Sequence, residues 1–225
     1  ANSVVAVVTE GQQASVVLLQ TAGANSLHEG TNIAGEPRDT MVFSSALPAA
    51  SGNLPETLSA STLGYGGAML RSAQIAGAMT RVMELASDYA AERKQFGRPI
   101  AKFQAIQQQL AILAEQTAAA NVAAESAFVA SDPDLSHFRI AAAKVTTSDG
   151  ASEAARIGHS VHGAIGFTQE YELQLLTRRL WAWRGEFGSA THWSKVLGNH
   201  ICASGPEQFW SSITHPHQQK LTTEG

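Results

Sequence analysis

The sequence is short of cysteine, of aromatic residues and of charge of either sign in excess. Cys202 is the only cysteine in 225 residues. No disulfide can therefore close within the chain, and a metal site built on cysteines is excluded. A reducing compartment is thereby allowed, and the cytoplasm is the expected one. No run of about 18 apolar residues occurs, so no transmembrane helix is expected. The first residues lack a basic segment followed by an apolar one, the pattern of a signal peptide. Aromatics make up 7% of the residues while the hydrophobic fraction is 44%, so alanine and leucine must carry much of the packing, a composition that suits closely packed helices. Fifteen basic against nineteen acidic residues give a net charge of −4, which argues against nucleic acid as a partner. Also missing are a His-Glu-x-x-His helix, a Gly-x-Ser-x-Gly elbow and a phosphate loop with its Lys-Ser/Thr.

What is present changes character along the chain. Val4–Val8 and Ser15–Leu19 are β-branched or aliphatic runs with Glu10-Gly11-Gln12 between them, the pattern of a hairpin, and Thr40–Phe43 is a third strand candidate. Three strands make a poor β domain. The segment is expected to complete a sheet whose other strands lie elsewhere in the polypeptide or on a partner.

From about Ser61 the period becomes helical. Met69, Ala73, Ala76, Met79, Met83, Ala86 and Ala90 step by three and four, with an end expected near Phe96-Gly97 before Pro99. A second helix runs through Phe103, Ile106, Leu110, Leu113, Thr117, Ala120, Ala124 and Phe128 to Asp132-Pro133. A third covers about Leu135 to His159, a fourth about Glu170 to Trp183, and a last carries Ala190, Trp193, Leu197 and Ile201 up to Gly205-Pro206. Long helices with short connections predict a mainly α fold, an antiparallel four-helix bundle preceded by a partial β segment.

Three constellations could carry chemistry. In Arg93-Lys94-Gln95-Phe96-Gly97-Arg98-Pro99-Ile100, followed by Phe103-Gln104-Ala105-Ile106, cations surround a Phe-Gly pair. An arginine fork suits a diphosphate; the alternative is a solvated helix end whose cations complement the macrodipole. His162-Gly163-Ala164-Ile165-Gly166-Phe167-Thr168 places two glycines between helices, where backbone N–H groups can cradle a ligand or where the helix simply breaks. His162 itself reads first as a hydrogen-bonded structural histidine. In Arg178-Arg179-Leu180-Trp181-Ala182-Trp183-Arg184-Gly185-Glu186-Phe187-Gly188, the two tryptophans cannot share a helix face. Glu186 could act as a general base or form an ion pair with Arg184 or Arg179.

Taken in order, these motifs resemble the C-terminal half of a flavin-dependent acyl-CoA dehydrogenase. Gly35–Arg38 and Asp39–Phe43 through Leu47-Pro48 are similar to the close of that family's middle β domain. The resemblance divides the chain into residues 1–56, a remnant of the middle β domain, residues 57–205, the C-terminal helical bundle, and residues 206–225, a polar tail. It implies FAD, with Arg93 on the diphosphate, largely from a neighbouring subunit. Gln95, Phe96, Ile100, Phe103, Gln104 and Ile106 would line the same cofactor, Gly163 and Ala164 would approach its adenosine end, and Ser189 and Thr191 would meet it too. The implied reaction is α,β-desaturation of an acyl-CoA thioester, in which a carboxylate takes the α proton and the flavin the β hydride. Implied partners are the acyl-CoA, a second copy or a second acyl-CoA dehydrogenase-like chain, and an electron-acceptor flavoprotein.

The sequence departs from the family pattern at the base. The usual position falls on Phe187, with Glu186 one residue earlier, a rotation of about 100° on a helix. The family's other base position falls near Gly67, and Ser160 stands where glutamine is common. The expectation is accordingly an FAD-dependent acyl-CoA dehydrogenase or a subunit of one with Glu186 as candidate base. The alternatives are a non-catalytic subunit that completes a partner's FAD site, and a helical interaction module without cofactor.

Overall fold

The computed structural model describes residues 2–11, 13–55, 58–129, 133–205, 207 and 210. Contacts group the chain into two units, Ala1–Gly67 and Ala68–Gly225. Apart from Glu207 and Trp210, the polar tail lies outside the described residues, as does Asp132.

In the first unit, β1 (Ser3–Glu10) and β2 (Gln13–Gln20) form the hairpin predicted from their aliphatic runs, in register from Ser3↔Gln20 to Glu10↔Gln13. Gly11 takes the left-handed φ of 61° that the tight reversal needs. Two strands escaped the sequence reading. β3 (Ser26–His28) pairs with β4 (Thr40–Val42), and β5 (Ala50–Asn53) adds to β2, giving the order β1-β2-β5. Ala-Ser-Gly-Asn has low strand propensity, and its pairing with Ser15–Leu18 is what recruits it. Between β3 and β4, Asn32 Oδ1 accepts from the amides of Ala34 (2.9 Å) and Glu36 (3.0 Å), and Gly30 N donates to the Asp39 carboxylate. A side chain at Gly30 would meet the Arg38 carbonyl at 2.8 Å, so that loop closes only on glycine.

The second unit is the helical bundle. Its helices are α1 (Thr62–Glu92), α2 (Gln104–Val129), α3 (Pro133–His162), α4 (Leu173–Trp183) and α5 (Ala190–Ser204). The core is an alanine-rich seam: Ile75, Met79, Val82, Ala86 and Ala90 of α1 meet Leu113, Ala120 and Ala124 of α2, Ala151, Ala155, Ile157 and Val161 of α3, and Leu173, Leu180 and Trp183 of α4. Of the predicted α1 stripe, Ala76, Met79, Ala86 and Ala90 are buried, and Met69, Ala73 and Met83 only partly so. Small side chains let the axes approach closely. A Cβ on Gly150 would lie 2.8 Å from Met79 Cε, and one on Gly158 would lie 2.9 Å from Val82 Cγ1. Neighbouring helices alternate in direction, as His159–Thr177 and Lys144–Trp183 contacts between α3 and α4 require. α3 is buried on more than one side, since Ala143, Lys144 and Thr147 are inaccessible as well as Ala141, Ser148 and Ala155 of the predicted stripe.

Two details differ from expectation. α1 stops at Glu92, not at Phe96-Gly97, because a two-stranded hairpin takes over. Phe128, placed on the buried stripe of α2, is 51% exposed, and Ala127 is buried instead. Among the described residues no helix is long and apolar enough to cross a membrane.

Candidate functional site

At the end of α1, Arg93 N still donates to Tyr89 O (2.9 Å), and the chain then turns back on itself. β6 (Lys94–Gln95) pairs with β7 (Arg98–Pro99) across a two-residue turn in which Phe96 (φ 51°) and Gly97 (φ 79°) are both left-handed. That is the type I′ geometry whose twist suits a hairpin. A phenylalanine there is strained, and the residue is 94% exposed. Ile100 is buried in the core and anchors the far side of the hairpin, with Ile100 N donating to Arg93 O at 2.8 Å. Phe103 and Ile106 pack half-buried against the same core. The Arg98 guanidinium lies 4.4 Å from the Phe103 ring centroid, and Phe96 meets Phe103 edge-on at 6.1 Å. Gln95 and Gln104 face solvent. Among the described residues neither Arg93 nor Lys94 has an ion-pair partner. Exposed cations beside an exposed aromatic ring, on a backbone held in a strained turn, form a donor set suited to an anionic, aromatic ligand.

The second motif sits at the same end of the bundle. His162, the last residue of α3, stacks on Tyr89 at 4.6 Å, one helical turn before Arg93. Its Nδ1 bonds to Gly158 O (2.7 Å) and its Nε2 to the Tyr171 hydroxyl (3.1 Å). Both ring nitrogens are thus occupied and the residue is buried, as the structural reading predicted. Burial holds the His162 pKa below 6.5, and burial with the neighbouring His162 does the same for His159. Gly163 follows with φ 63°, and it and Ala164 are exposed. Gly166 is enclosed: a Cβ there would meet Leu173 Cδ2 at 2.9 Å.

Glu186, Ser189 and Thr191 lie at the opposite end, separated from the Gly163 turn by α4, whose 11 residues span about 16 Å at 1.5 Å per residue. Trp183 is buried and Trp181 half-exposed, the division their spacing predicted. Glu186 ion-pairs with Arg71 (2.6 Å), a partner the sequence did not suggest. Arg71 also bonds to Gln74 and lies over the Trp183 ring, its Cζ 5.3 Å from the centroid. The pair is largely enclosed, with 16% and 18% of the two side chains exposed. Phe187 (φ 55°) and Gly188 (φ 98°) repeat the left-handed Phe-Gly pairing of the hairpin. Ser189 caps α5 by accepting from His192 N (3.2 Å), and Thr191 is exposed.

Beneath this connection lies Lys144, a residue the sequence reading passed over. It is completely inaccessible, and its Nζ donates to Ser148 Oγ (3.0 Å), Trp183 O (3.2 Å) and Arg184 O (2.9 Å). Burial lowers its pKa to about 8, opposed by the Glu186 carboxylate and assisted by Arg184 and Arg71. Arg71 was also missed. Each is a lone cation in an alanine-rich helical run, Met69-Leu70-Arg71-Ser72-Ala73 and Ala141-Ala142-Ala143-Lys144-Val145, and that isolation was the available signal.

The sequence-selected residues therefore form two groups. Arg93, Gln95, Phe96, Ile100, Phe103, Gln104, Ile106, Gly163 and Ala164 gather at one end of the bundle, and Glu186, Ser189 and Thr191 at the other. The model of the acyl-CoA dehydrogenase C-terminal domain matches residues 59–189, more than half of the chain. The chain belongs to the acyl-CoA dehydrogenase family. Acyl-CoA dehydrogenase IpdE2 of Mycobacterium tuberculosis is 32% identical over 173 residues, which are 76% of this chain and 52% of that protein. A 3-sulfinopropanoyl-CoA desulfinase of Paraburkholderia xenovorans is 36% identical over 95 residues, 42% of this chain and 24% of its own length. Among solved structures, the ChsE4–ChsE5 complex of the same mycobacterium contains a chain that superposes with a TM-score of 0.77 at 23% identity, covering 92% of this chain and 57% of that one. The chain spans about half the length of the first curated relative, and the structural likeness speaks for the fold.

Proposed function

We propose that the chain is part of an FAD-dependent acyl-CoA dehydrogenase that desaturates an acyl-CoA thioester. The observation that carries this reading is the hairpin after α1. There Arg93 and Lys94 lack ion-pair partners among the described residues, and Phe96 is held exposed in a left-handed turn. A diphosphate would satisfy the cations, and a flat ring system would cover the aromatic. In this reading Arg93 holds the FAD diphosphate. Gln95, Phe96, Ile100, Phe103, Gln104 and Ile106 line the cofactor, Gly163 and Ala164 face its adenosine end, and Ser189 and Thr191 meet it from the other end of a bundle. FAD, when bound, supplies the hydride acceptor. The residues of this chain orient it and exclude water.

Glu186 is the candidate for the α proton. Its ion pair with Arg71 holds the carboxylate in place, and release from that pair would precede proton uptake. The same ion pair supports a second reading. With Phe187 at the usual base position and Glu186 tied down, the chain would complete the FAD site of a partner that carries the base. Relatedness in fold to a chain of the ChsE4–ChsE5 complex is compatible with such a heteromer. An acyl-CoA substrate and an electron-acceptor flavoprotein belong to either reading.

The test is FAD binding by the whole assembly, followed by quenching of FAD fluorescence. Arg93→Ala is expected to weaken it by about tenfold to a hundredfold, the loss of one or two charge-assisted hydrogen bonds. Equal affinity in the variant would overturn the assignment of Arg93. No binding by the unaltered assembly would overturn the flavin reading as a whole.

A further inference from the structure

An ammonium group taken fully out of water is costly unless every proton finds an acceptor. Lys144 meets that condition with Ser148 Oγ, Trp183 O and Arg184 O, and a lysine has three protons to give. Two of those acceptors are at the C-terminal end of α4, where carbonyls lack intrahelical partners and carry the negative pole of the helix. Ser148 Oγ adds a second donor to Arg184 O at 3.2 Å. The far side of the connection is tied as well: Trp193 Nε1 donates to Phe187 O (2.9 Å), and Ser189 caps α5. Glu186 is therefore slung between two anchored points. Its own amide reaches back to Trp183 O at 3.2 Å, and its carboxylate reaches Arg71. The Lys144–Ser148 pair ties α3 directly to the α4 end of this sling.

We propose that Lys144 is the positioning residue for Glu186: by clamping the last carbonyls of α4 it fixes where the Glu186 carboxylate is presented. For its catalytic consequence this rests on the reading of Glu186 as the base. The structural claim stands apart from it. Nothing else about the fold calls for a cation at this position, since an apolar side chain would fill the same volume without the desolvation cost.

The experiment has two arms on the full assembly. Amide hydrogen exchange is measured at 184–188 and, as internal control, at 151–161. Lys144→Met should accelerate exchange at 184–188 by about tenfold while the control stays within about twofold. Unchanged exchange at 184–188, or equal acceleration in both segments, overturns the proposal. Should Lys144→Met fail to fold, Ser148→Ala replaces it, with an expected acceleration of about threefold confined to the same segment. In the second arm, oxidation of butanoyl-CoA and octanoyl-CoA by the FAD-loaded assembly is followed. Lys144→Met should lower kcat by about tenfold with KM within about twofold, and should add no further loss to Glu186→Gln. Additive losses in the double variant would sink action through Glu186. Full turnover in Glu186→Gln would overturn the base assignment and leave the exchange arm to decide the role of Lys144.

Discussion

At the scale of single residues, the ionisable groups sort by what covers them. Arg93 and Lys94 are exposed and without ion pairs among the described residues, whereas Lys144, His159 and His162 are packed into the bundle. The two histidines set an acid limit on the fold. Burial holds both below their ordinary value of 6.5, so the unfolded chain takes up protons first as the pH falls. Stability present above pH 6.5 is then lost as the pH drops through the two depressed values. The titratable groups facing them are each other, Tyr89 and Tyr171, and among the described residues no carboxylate hydrogen-bonds or ion-pairs with either to retain the charge. The midpoint of urea unfolding, followed by tryptophan fluorescence, should be lower at about pH 5 than at about pH 7.5, and His162→Asn should narrow the gap. An equal gap in that variant would remove His162 from the account. Lone cations inside alanine runs were visible in the sequence as Arg71 and Lys144, but their partners were not. Glu186 lies 115 positions from Arg71 by their numbers, and no local pattern links them.

Elements were more legible than the connections between them. A steady three-four spacing of small and aliphatic residues gave α1 to α5 because burial of one stripe is what makes each helix form. The short strand Ala50–Asn53 was hidden, since its pairing comes from β2 and not from its own residues. The end of α4 at Trp183 fell where expected, but that of α1 was hidden for a different reason: after each helix a Phe-Gly pair takes left-handed backbone and redirects the chain, and phenylalanine gives no hint of that. Gly188 and Gly163, in the connections after α4 and α3, should respond unequally to substitution. A Cβ on Gly188 would fall 2.5 Å from Trp193 Nε1 and 2.8 Å from His192 Cδ2, at a φ of 98°. One on Gly163 meets nothing within 4 Å, at φ 63°. Gly188→Ala should cost about 2–4 kcal/mol through overpacking and backbone strain, against about 1 kcal/mol for Gly163→Ala, read from urea unfolding. Similar costs at the two positions would mean that Trp193 yields easily.

For the molecule as a whole, the division of the candidate residues between the two ends of the bundle has a direct consequence. If one FAD takes Arg93 from one subunit and Ser189 and Thr191 from another, neither an Arg93→Ala chain nor a Ser189→Ala/Thr191→Ala chain holds a complete site. In a homodimer assembled at random from equal amounts of the two, about a quarter of the sites carry neither defect. FAD binding by co-refolded variants should recover to that fraction, measured by flavin absorbance after gel filtration. No recovery would place all the contacts within one chain or assign the complementary set to a different polypeptide. The family fold was legible from three ordered motifs, yet the placement of those motifs at two ends follows only from the up-and-down course of the helices.

The burial of Lys144 bears on chemical durability. An amine with a pKa of about 8 is partly free base near neutrality, and free amines are slowly acylated by thioesters without any catalyst. Sealed at 0% exposure beneath α4, it keeps its three bonds and is shielded from a side reaction to which exposed Lys94 and Lys102 stay open.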